Sequence, residues 1–318
     1  MGILLGLLTA LTWGSSDFLA RFVSRRIGAL RTTLYMQLVG LALLTIFLRY
    51  MGGWGHLLDG SGWQPWAWGA LAGALNTLAT LSLYRSFETG KLAVVAPISA
   101  SYPVLTVAIS VLTGEPLTAV RASGVLLILG GVIVVVRGEA AAPEPNPNEF
   151  ANCAARRSPR SPAAFPFKPS PYSVPPSKKT SSGIAAALVS AAGFGVLFWL
   201  LGNRVVPRVG FASTVWMIRL TSSALTALAI LIMKQPISLP RKSSVSFWLL
   251  GMGLLDTAAF VLNNRGMQLE QVSVVSVLAS LYGAVTVILS TVLLHERMSR
   301  CQWLGIAAIF AGITLISR

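Results

Sequence analysis

Residues 73–86 read GALNTLATLSLYRS and residues 253–266 read GLLDTAAFVLNNRG, and both belong to a longer alignment of the chain with itself. At a shift of 180 positions the identical pairs include Gly73 and Gly253, Thr77 and Thr257, Arg85 and Arg265, Val95 and Val275, Tyr102 and Tyr282, Thr106 and Thr286, and Ser110 and Ser290. One inserted residue later, the matches are Glu115 and Glu296, Gly124 and Gly305, and Gly131 and Gly312. A register kept across a charge, an aromatic residue and several glycines indicates an internal duplication.

The composition predicts that lipid surrounds the protein. Charged residues make up 11% of the chain and the mean hydropathy is +0.70, whereas about 25% of a soluble domain is charged. The net charge of +15 comes from basic residues at the ends of apolar runs and in one central segment, which is not a nucleic-acid-binding face. We therefore expect a multi-pass protein of the cell membrane (the inner membrane in a bacterium), with a lipid bilayer and no nucleic acid as partners.

Apolar runs long enough to cross the bilayer number ten. About 20 apolar residues span a hydrocarbon core of roughly 30 Å as a helix. The predicted spans are 2–20, 32–50, 66–84, 92–112, 120–137, 183–202, 211–233, 245–263, 272–293 and 302–317. The predicted fold class is therefore an all-α polytopic membrane protein.

A segment rich in proline, serine and basic residues separates the spans into two groups of five. Residues 140–182 contain ten of the seventeen prolines, and such a segment predicts a disordered linker. We predict a first repeat at 1–139, the linker at 140–182 and a second repeat at 183–318. The linker either tethers the halves or binds lipid or another partner.

The odd number of spans in each half has a topological consequence. If both halves fold alike, the second lies upside down relative to the first. Inverted repeats of this kind are the usual construction of secondary transporters, which bind a small molecule near the midplane between the halves. We therefore predict ten helices arranged as two inverted five-helix repeats.

Several motifs resemble those of a known group of membrane proteins. They are Trp13-Gly14-Ser15-Ser16, the glycines Gly124, Gly130, Gly131, Gly305 and Gly312, and the segments Gly114-Glu115-Pro116-Leu117 and His295-Glu296-Arg297-Met298. The two halves resemble the EamA-type permeases of the drug/metabolite transporter superfamily. That resemblance implies a small-metabolite exporter or exchanger, often for amino acids or related compounds. It also implies cytoplasmic termini, whereas the distribution of Lys and Arg between the loops favours the opposite orientation.

Two aspartates fall inside predicted spans. A carboxylate at membrane depth costs about 2.5–3.5 kcal/mol on insertion scales, so it normally faces a cavity or a partner. Asp17 lies late in the first span and Asp256 in the eighth, where its counterpart in the other half is Asn76. We hypothesise that one of the aspartates binds a coupling proton or an amine of the substrate; the alternative is a carboxyl hydrogen-bonded within the helix bundle.

Arg219 lies inside the seventh span and aligns with Gln37 at a shift of 182. Its guanidinium could receive a substrate carboxylate through two parallel hydrogen bonds. It could equally pair with Asp256 and hold two helices together. The sequence leaves both interpretations open.

Aromatic and amide side chains complete the candidate substrate site. The duplicated Tyr102 and Tyr282 each need a hydrogen-bond partner in apolar surroundings, so we expect them at a shared cavity, with ordinary helix packing as the alternative. The remaining candidates for the cavity are Trp13, Trp199, Asn263 and Asn264.

Prolines distinguish the fourth span from the ninth. Pro97 and Pro103 each remove a backbone hydrogen bond, and the ninth span has Val277 and Gly283 in their places. We expect the two spans to bend differently, as a hinge or gate would.

Other functions fit the sequence less well. A membrane-embedded enzyme lacks candidates, because the chain has two histidines and three aspartates and the zinc motif beginning at His295 lacks its second histidine. A non-transporting receptor or scaffold is the other alternative. We predict no enzyme activity, no cofactor and no metal. The expected partner is a small-molecule substrate, moved by proton coupling, exchange or its own gradient, in a monomer or a homodimer.

Overall fold

The computed structural model describes residues 1–51, 62–114, 118–140, 180–235, 243–270, 272–294 and 298–316. Residues 141–179 of the predicted linker (140–182) lie outside the described residues, as do 115–117 and 295–297. Ala140 and residues 180–182, also assigned to the linker, are helical. The described residues form helices and contain no strand.

The helices of the first half occupy five stretches, one of them interrupted. They are α1 (Gly2–Ile27), α2 (Ala29–Met51), α3 (Gln64–Thr89), α4 (Leu92–Ser99) with α5 (Pro103–Leu112), and α6 (Ala119–Ala140).

The second half follows the same order. It comprises α7 (Thr180–Leu200) with a π-helical turn (Leu201–Val205) and α8 (Val206–Val209), then α9 (Phe211–Ile232), α10 (Ser243–Leu269), α11 (Val272–Ser280) with α12 (Tyr282–Leu293), and α13 (Arg300–Ile316).

Seven described segments are both long and apolar enough to cross a membrane. They are Gly2–Ile27, Ala29–Tyr50, Leu92–Leu112, Ser182–Val209, Phe211–Ile232, Val245–Leu269 and Val274–Leu293. The apolar stretches Ala122–Val135 and Arg300–Leu315 are shorter, and the 26-residue α3 is not among the seven. Polar residues, Asn76, Thr77, Thr80 and Ser86 among them, lower the mean hydropathy of α3. They are buried inside the protein and so are not exposed to lipid. The count of ten spans stays a prediction.

Several helices, α1, α3 and α10 among them, extend beyond the apolar runs that predicted them. Helix α1 continues seven residues past the predicted end at residue 20 and includes Arg21, which is buried. A hydropathy window registers the lipid-facing part of a helix, whereas the helix itself continues as long as its backbone hydrogen bonds are satisfied.

The interrupted fourth and ninth stretches break at the same place. The amide of Ser101 donates to the carbonyl of Ile98, and the amide of Leu281 donates to that of Leu278, each at 3.2 Å. These residue pairs are equivalent in the two halves. The two spans were expected to bend differently because the ninth lacks the prolines, and this difference stays a prediction. Pro103 stands at the start of α5, where a missing amide is tolerated.

Helices from opposite halves pack reciprocally. Helix α1 packs on α10 and α3 packs on α7, while α2 packs on α9 and α6 packs on α13. Glycines bring the last pair together: a Cβ on Gly131 would lie 2.6 Å from the carbonyl oxygen of Gly305, and one on Gly312 would lie 2.6 Å from that of Gly124. The core therefore lies between the two halves rather than within each of them.

Candidate functional site

A narrow cavity lies between the halves, bordered by α1 and α3 of the first and by α7, α10 and α12 of the second. Its lining consists of Trp13, Asp17, Thr80, Leu83, Tyr84, Phe194, Phe198, Asp256, Phe260 and Tyr282. Of the predicted site residues, it brings together Trp13, Asp17, Asp256 and Tyr282. Its aromatic walls leave room for little more than a water molecule.

Aromatic rings form most of the wall around Trp13. The centroid of Trp13 lies 5.0 Å from that of Phe260 in an edge-to-face contact, 5.5 Å from Phe198 and 6.2 Å from Tyr282. These three rings come from α10, α7 and α12. Offset and edge-on ring contacts stabilise such clusters beyond the area that they bury, so Trp13 fixes one wall of the cavity.

Arg219 lies behind this wall. Its side chain is fully buried, and its Nη2 group donates a 2.6 Å hydrogen bond to Oδ2 of Asp256 within an ion pair. Its Nη1 group donates to Oε1 of Gln37 at 2.6 Å, and its guanidinium carbon lies 5.0 Å from the centroid of Phe260. Of the two interpretations of Arg219, the structure forms the pair with Asp256, and Arg219 is not among the lining residues.

Asp17 has different surroundings from Asp256. The residue is 5% exposed, and among the described residues no group donates a hydrogen bond to its carboxyl. The neighbouring Ser16 positions it, because the Ser16 hydroxyl donates to the carbonyl of Met252 at 3.1 Å and ties α1 to α10. The carboxyl of Asp17 is therefore held at the cavity wall without a cation beside it.

The duplicated tyrosines also differ. The hydroxyl of Tyr102 donates to the carbonyl of Ser276 at 2.7 Å, and Tyr102 does not line the cavity. The buried hydroxyl of Tyr282 has no hydrogen-bond partner within the described part of the chain. Two positions that the sequence presents as equivalent thus contribute one structural hydroxyl and one available to a ligand.

The other predicted site residues lie outside the cavity. The amide of Asn76 donates to the Ser222 hydroxyl at 3.2 Å, and that of Asn264 donates to the carbonyl of Phe211 at 3.3 Å. The Asn263 amide lies 3.8 Å from the sulfur of Met267, and Trp199 is a partly buried residue packed against the core.

The hinge candidates lie at helix contacts. Pro97 is inside α4 and buried. A Cβ on Gly283 would lie 2.7 Å from that of Ala100, so Gly283 permits α12 to approach the end of α4 closely.

Sequence reasoning missed Phe198 and Phe260 as cavity residues. An apolar aromatic side chain in an apolar span carries no distinguishing signal. A retrospective indication is spacing, since Phe260 lies four positions after Asp256 and shares its helix face. Within the described residues, no three His, Cys, Asp or Glu side chains lie close enough together to hold a metal ion.

Comparison with known proteins identifies the family. The model of the EamA-like transporter family matches residues 1–137 and 181–318, which is most of the chain. The chain therefore belongs to the EamA-like transporter family. It is a multi-pass membrane transporter of the drug/metabolite transporter superfamily, in a family of transporters rather than enzymes.

Two further similarities concern length and fold. An uncharacterized protein of Methanocaldococcus jannaschii is 30% identical over 135 residues, which cover 42% of this chain and 94% of that protein. A solved crystal structure, described only as that of a protein, aligns with a TM-score of 0.65 and 20% identity over 99% of this chain and 95% of its own. At that identity the likeness concerns the fold alone.

Proposed function

We propose that the protein is a secondary transporter that moves a small metabolite, an amino acid or a related compound, by efflux or exchange. The observation that carries the proposal is the cavity between the halves, whose wall combines aromatic rings with the carboxyls of Asp17 and Asp256. A concave site with apolar walls and a few polar groups is the usual form of a small-molecule site. Its location between two duplicated halves agrees with a transporter.

Equivalent contacts in the two halves support an inverted repeat. The Thr106 hydroxyl donates to the carbonyl of Gly195 at 3.0 Å, and the equivalent Thr286 hydroxyl donates to that of Gly14 at 3.3 Å. A relative that aligns over 94% of its length with 135 residues has about the size of one half. Both observations agree with two copies of one five-helix unit facing each other.

Alternating access is the mechanism we propose for this arrangement. The cavity is nearly filled by its own side chains, so binding requires the halves to separate around it. In this mechanism the reciprocal α1–α10 and α3–α7 contacts open in turn on opposite sides of the membrane. The substrate site stays between them and is exposed to one side at a time.

Asp17 is the group we propose for proton coupling. Burial away from a cation favours the neutral, protonated form of a carboxyl over the charged form. Asp256, by contrast, has Arg219 at 2.6 Å as its ion-pair partner. A proton that exchanges during the cycle is therefore assigned to Asp17.

Counterflow in proteoliposomes tests the proposal. The purified full-length protein is reconstituted in vesicles preloaded with a mixed pool of amino acids and related metabolites, and labelled candidates are added outside one at a time. We expect one chemical class to accumulate above protein-free vesicles, and an imposed pH gradient to change its rate in the parent but not in Asp17→Asn. Folded, correctly reconstituted protein that accumulates nothing from the pool would contradict the transport proposal, and an unchanged gradient response in Asp17→Asn would contradict the role of Asp17.

A further inference from the structure

Two buried polar groups at the cavity have no partner, and both call for a ligand that donates hydrogen bonds. Asp17 is 5% exposed and Tyr282 is 4% exposed. No described group donates a hydrogen bond to the Asp17 carboxyl, which lines the cavity. The Tyr282 hydroxyl is buried and has no hydrogen-bond partner in the described part of the chain. A buried polar group without a partner is unfavourable. A ligand with N–H groups would satisfy both, because a carboxylate accepts hydrogen bonds and a hydroxyl can accept one.

The walls of the same cavity favour a positive charge. Trp13 and Phe198 both line the cavity, and their ring centroids lie 5.5 Å apart. Aromatic faces, that of tryptophan above all, attract cations placed over them. The Asp17 carboxyl and this aromatic wall therefore attract the same kind of group.

The cavity has no counterpart for a negative charge. Its lining residues, all in the described part of the chain, include two aspartates and no lysine, arginine or histidine. The nearby Arg219 is fully buried, and its Nη1 and Nη2 groups donate hydrogen bonds to Gln37 and Asp256. A carboxylate placed in the cavity would lose its water, find no cation and face two acidic side chains.

We infer that the cavity selects a protonated organic amine with an apolar body and discriminates against amino acids, which carry a carboxylate as well. When the halves separate around the cavity and Asp17 has released its proton, the ammonium group binds the Asp17 carboxylate and donates a hydrogen bond to the Tyr282 hydroxyl. The apolar body then lies against the aromatic walls. This inference rests on the proposed function and narrows the substrate class of that site.

Three probes with the same phenyl body and different head groups test the inference. They are 2-phenylethylamine, phenylalanine and 3-phenylpropionate, each titrated calorimetrically into the purified protein and each used as a competitor in the counterflow assay. We expect the amine to bind on the order of a hundredfold more tightly than phenylalanine, because an unpaired buried carboxylate is strongly disfavoured. The acid should not bind measurably. Phenylalanine that binds as tightly as the amine would overturn the inference.

Variants of Asp17 supply the matched control. Asp17→Asn should weaken amine binding about tenfold or more, because it removes a charge-assisted contact, whereas Asp17→Glu should retain most of the affinity. The thermal midpoint and gel-filtration profile of each variant show that it is folded, and a folded Asp17→Asn protein that binds the amine as the parent does would overturn the assignment.

The outcomes separate this inference from the proposed function. Accumulation of phenylalanine in preference to the amine overturns the amine specificity and leaves transport established. Tight amine binding with no accumulation of any compound supports the amine site and overturns transport.

Discussion

Arg219 donates a 2.6 Å hydrogen bond to Gln37, the residue that occupies the same position in the other half of the duplicated chain. The contact joins α2 to α9. The partner of Arg219 in its own half is Asp256, and the counterpart of Asp256 is Asn76. One half therefore carries a charged pair where the other carries two neutral amides.

This relationship predicts how the charged pair responds to substitution. Replacing Arg219 with Gln leaves Asp256 as an uncompensated buried carboxylate, and breaking a buried pair in this way costs about 3–5 kcal/mol. The double variant Arg219→Gln/Asp256→Asn places in the second half the residues of the first, and it should regain most of the lost stability. The thermal midpoint of unfolding in detergent measures the stability of the single and of the double variant.

A residue of the first half supplies the control for these two variants. The variant Asn76→Ala removes the hydrogen bond to Ser222 without leaving a charge unpaired, so its loss of stability should be smaller than that of Arg219→Gln. A double variant no more stable than Arg219→Gln would contradict this explanation of the pair.

The close contact of α6 with α13 predicts that alanine substitutions at two adjacent glycines of α6 differ in their effect on stability. An alanine at 131 would place its Cβ 2.6 Å from the backbone oxygen of Gly305, and overpacking of this kind costs about 1–3 kcal/mol. The adjacent Gly130 is exposed, and a Cβ added there would meet no atom of the described residues within 4 Å. Gly131→Ala should lower the thermal midpoint, whereas Gly130→Ala should leave it unchanged or raise it slightly. Equal effects at the two positions would show that the close approach of the helices is not what Gly131 provides.

The end of α3 depends on an arginine from α1. The Nη1 group of Arg21 donates to the carbonyls of Phe87 and Gly90, which are at the end of α3 where backbone acceptors lack partners within the helix. Arg25 donates to the same two carbonyls, at 3.3 and 3.2 Å. Arg21→Met should destabilise the protein by about 1–3 kcal/mol, because these acceptors lose a buried charged donor and keep only the longer contacts of Arg25. The comparison is Arg85→Gln, which removes an exposed pair with Glu88 and should cost well under about 1 kcal/mol. Thermal midpoints that fall equally in the two variants would argue against this role of Arg21.

The two tyrosines should separate stability from ligand binding. Tyr102→Phe removes a 2.7 Å hydrogen bond to the Ser276 carbonyl and should cost about 1 kcal/mol of stability. Tyr282→Phe removes a hydroxyl that has no partner among the described residues and should leave stability unchanged or slightly increased while it weakens binding of the amine. Thermal midpoints and calorimetric titration of both variants measure the two effects. If Tyr282→Phe destabilises the protein as much as Tyr102→Phe does, the Tyr282 hydroxyl stabilises the fold rather than binding a ligand.

Features carried by local sequence were predictable. Composition and long apolar runs indicate a helical membrane protein, because the bilayer requires each span to satisfy its own backbone hydrogen bonds. The duplication is visible because identical residues keep their register along the chain. The motifs at Trp13 and the paired glycines led to the family that the comparisons confirmed. The helix ends were less accessible, as α1 shows by continuing to Ile27.

The division of roles between similar residues was decided only by the tertiary structure. Asp17 and Asp256 are both isolated carboxyls in apolar spans, yet only Asp256 has Arg219 within 2.6 Å. Tyr102 and Tyr282 are identical positions of the duplication, yet only Tyr282 lines the cavity. The wall of the cavity itself joins side chains from α1, α3, α7, α10 and α12.

The sequence determined a duplicated helical membrane protein because hydropathy and repetition are properties of neighbouring residues. The partner of each buried polar group depends on which distant helix faces it, and only packing decides that.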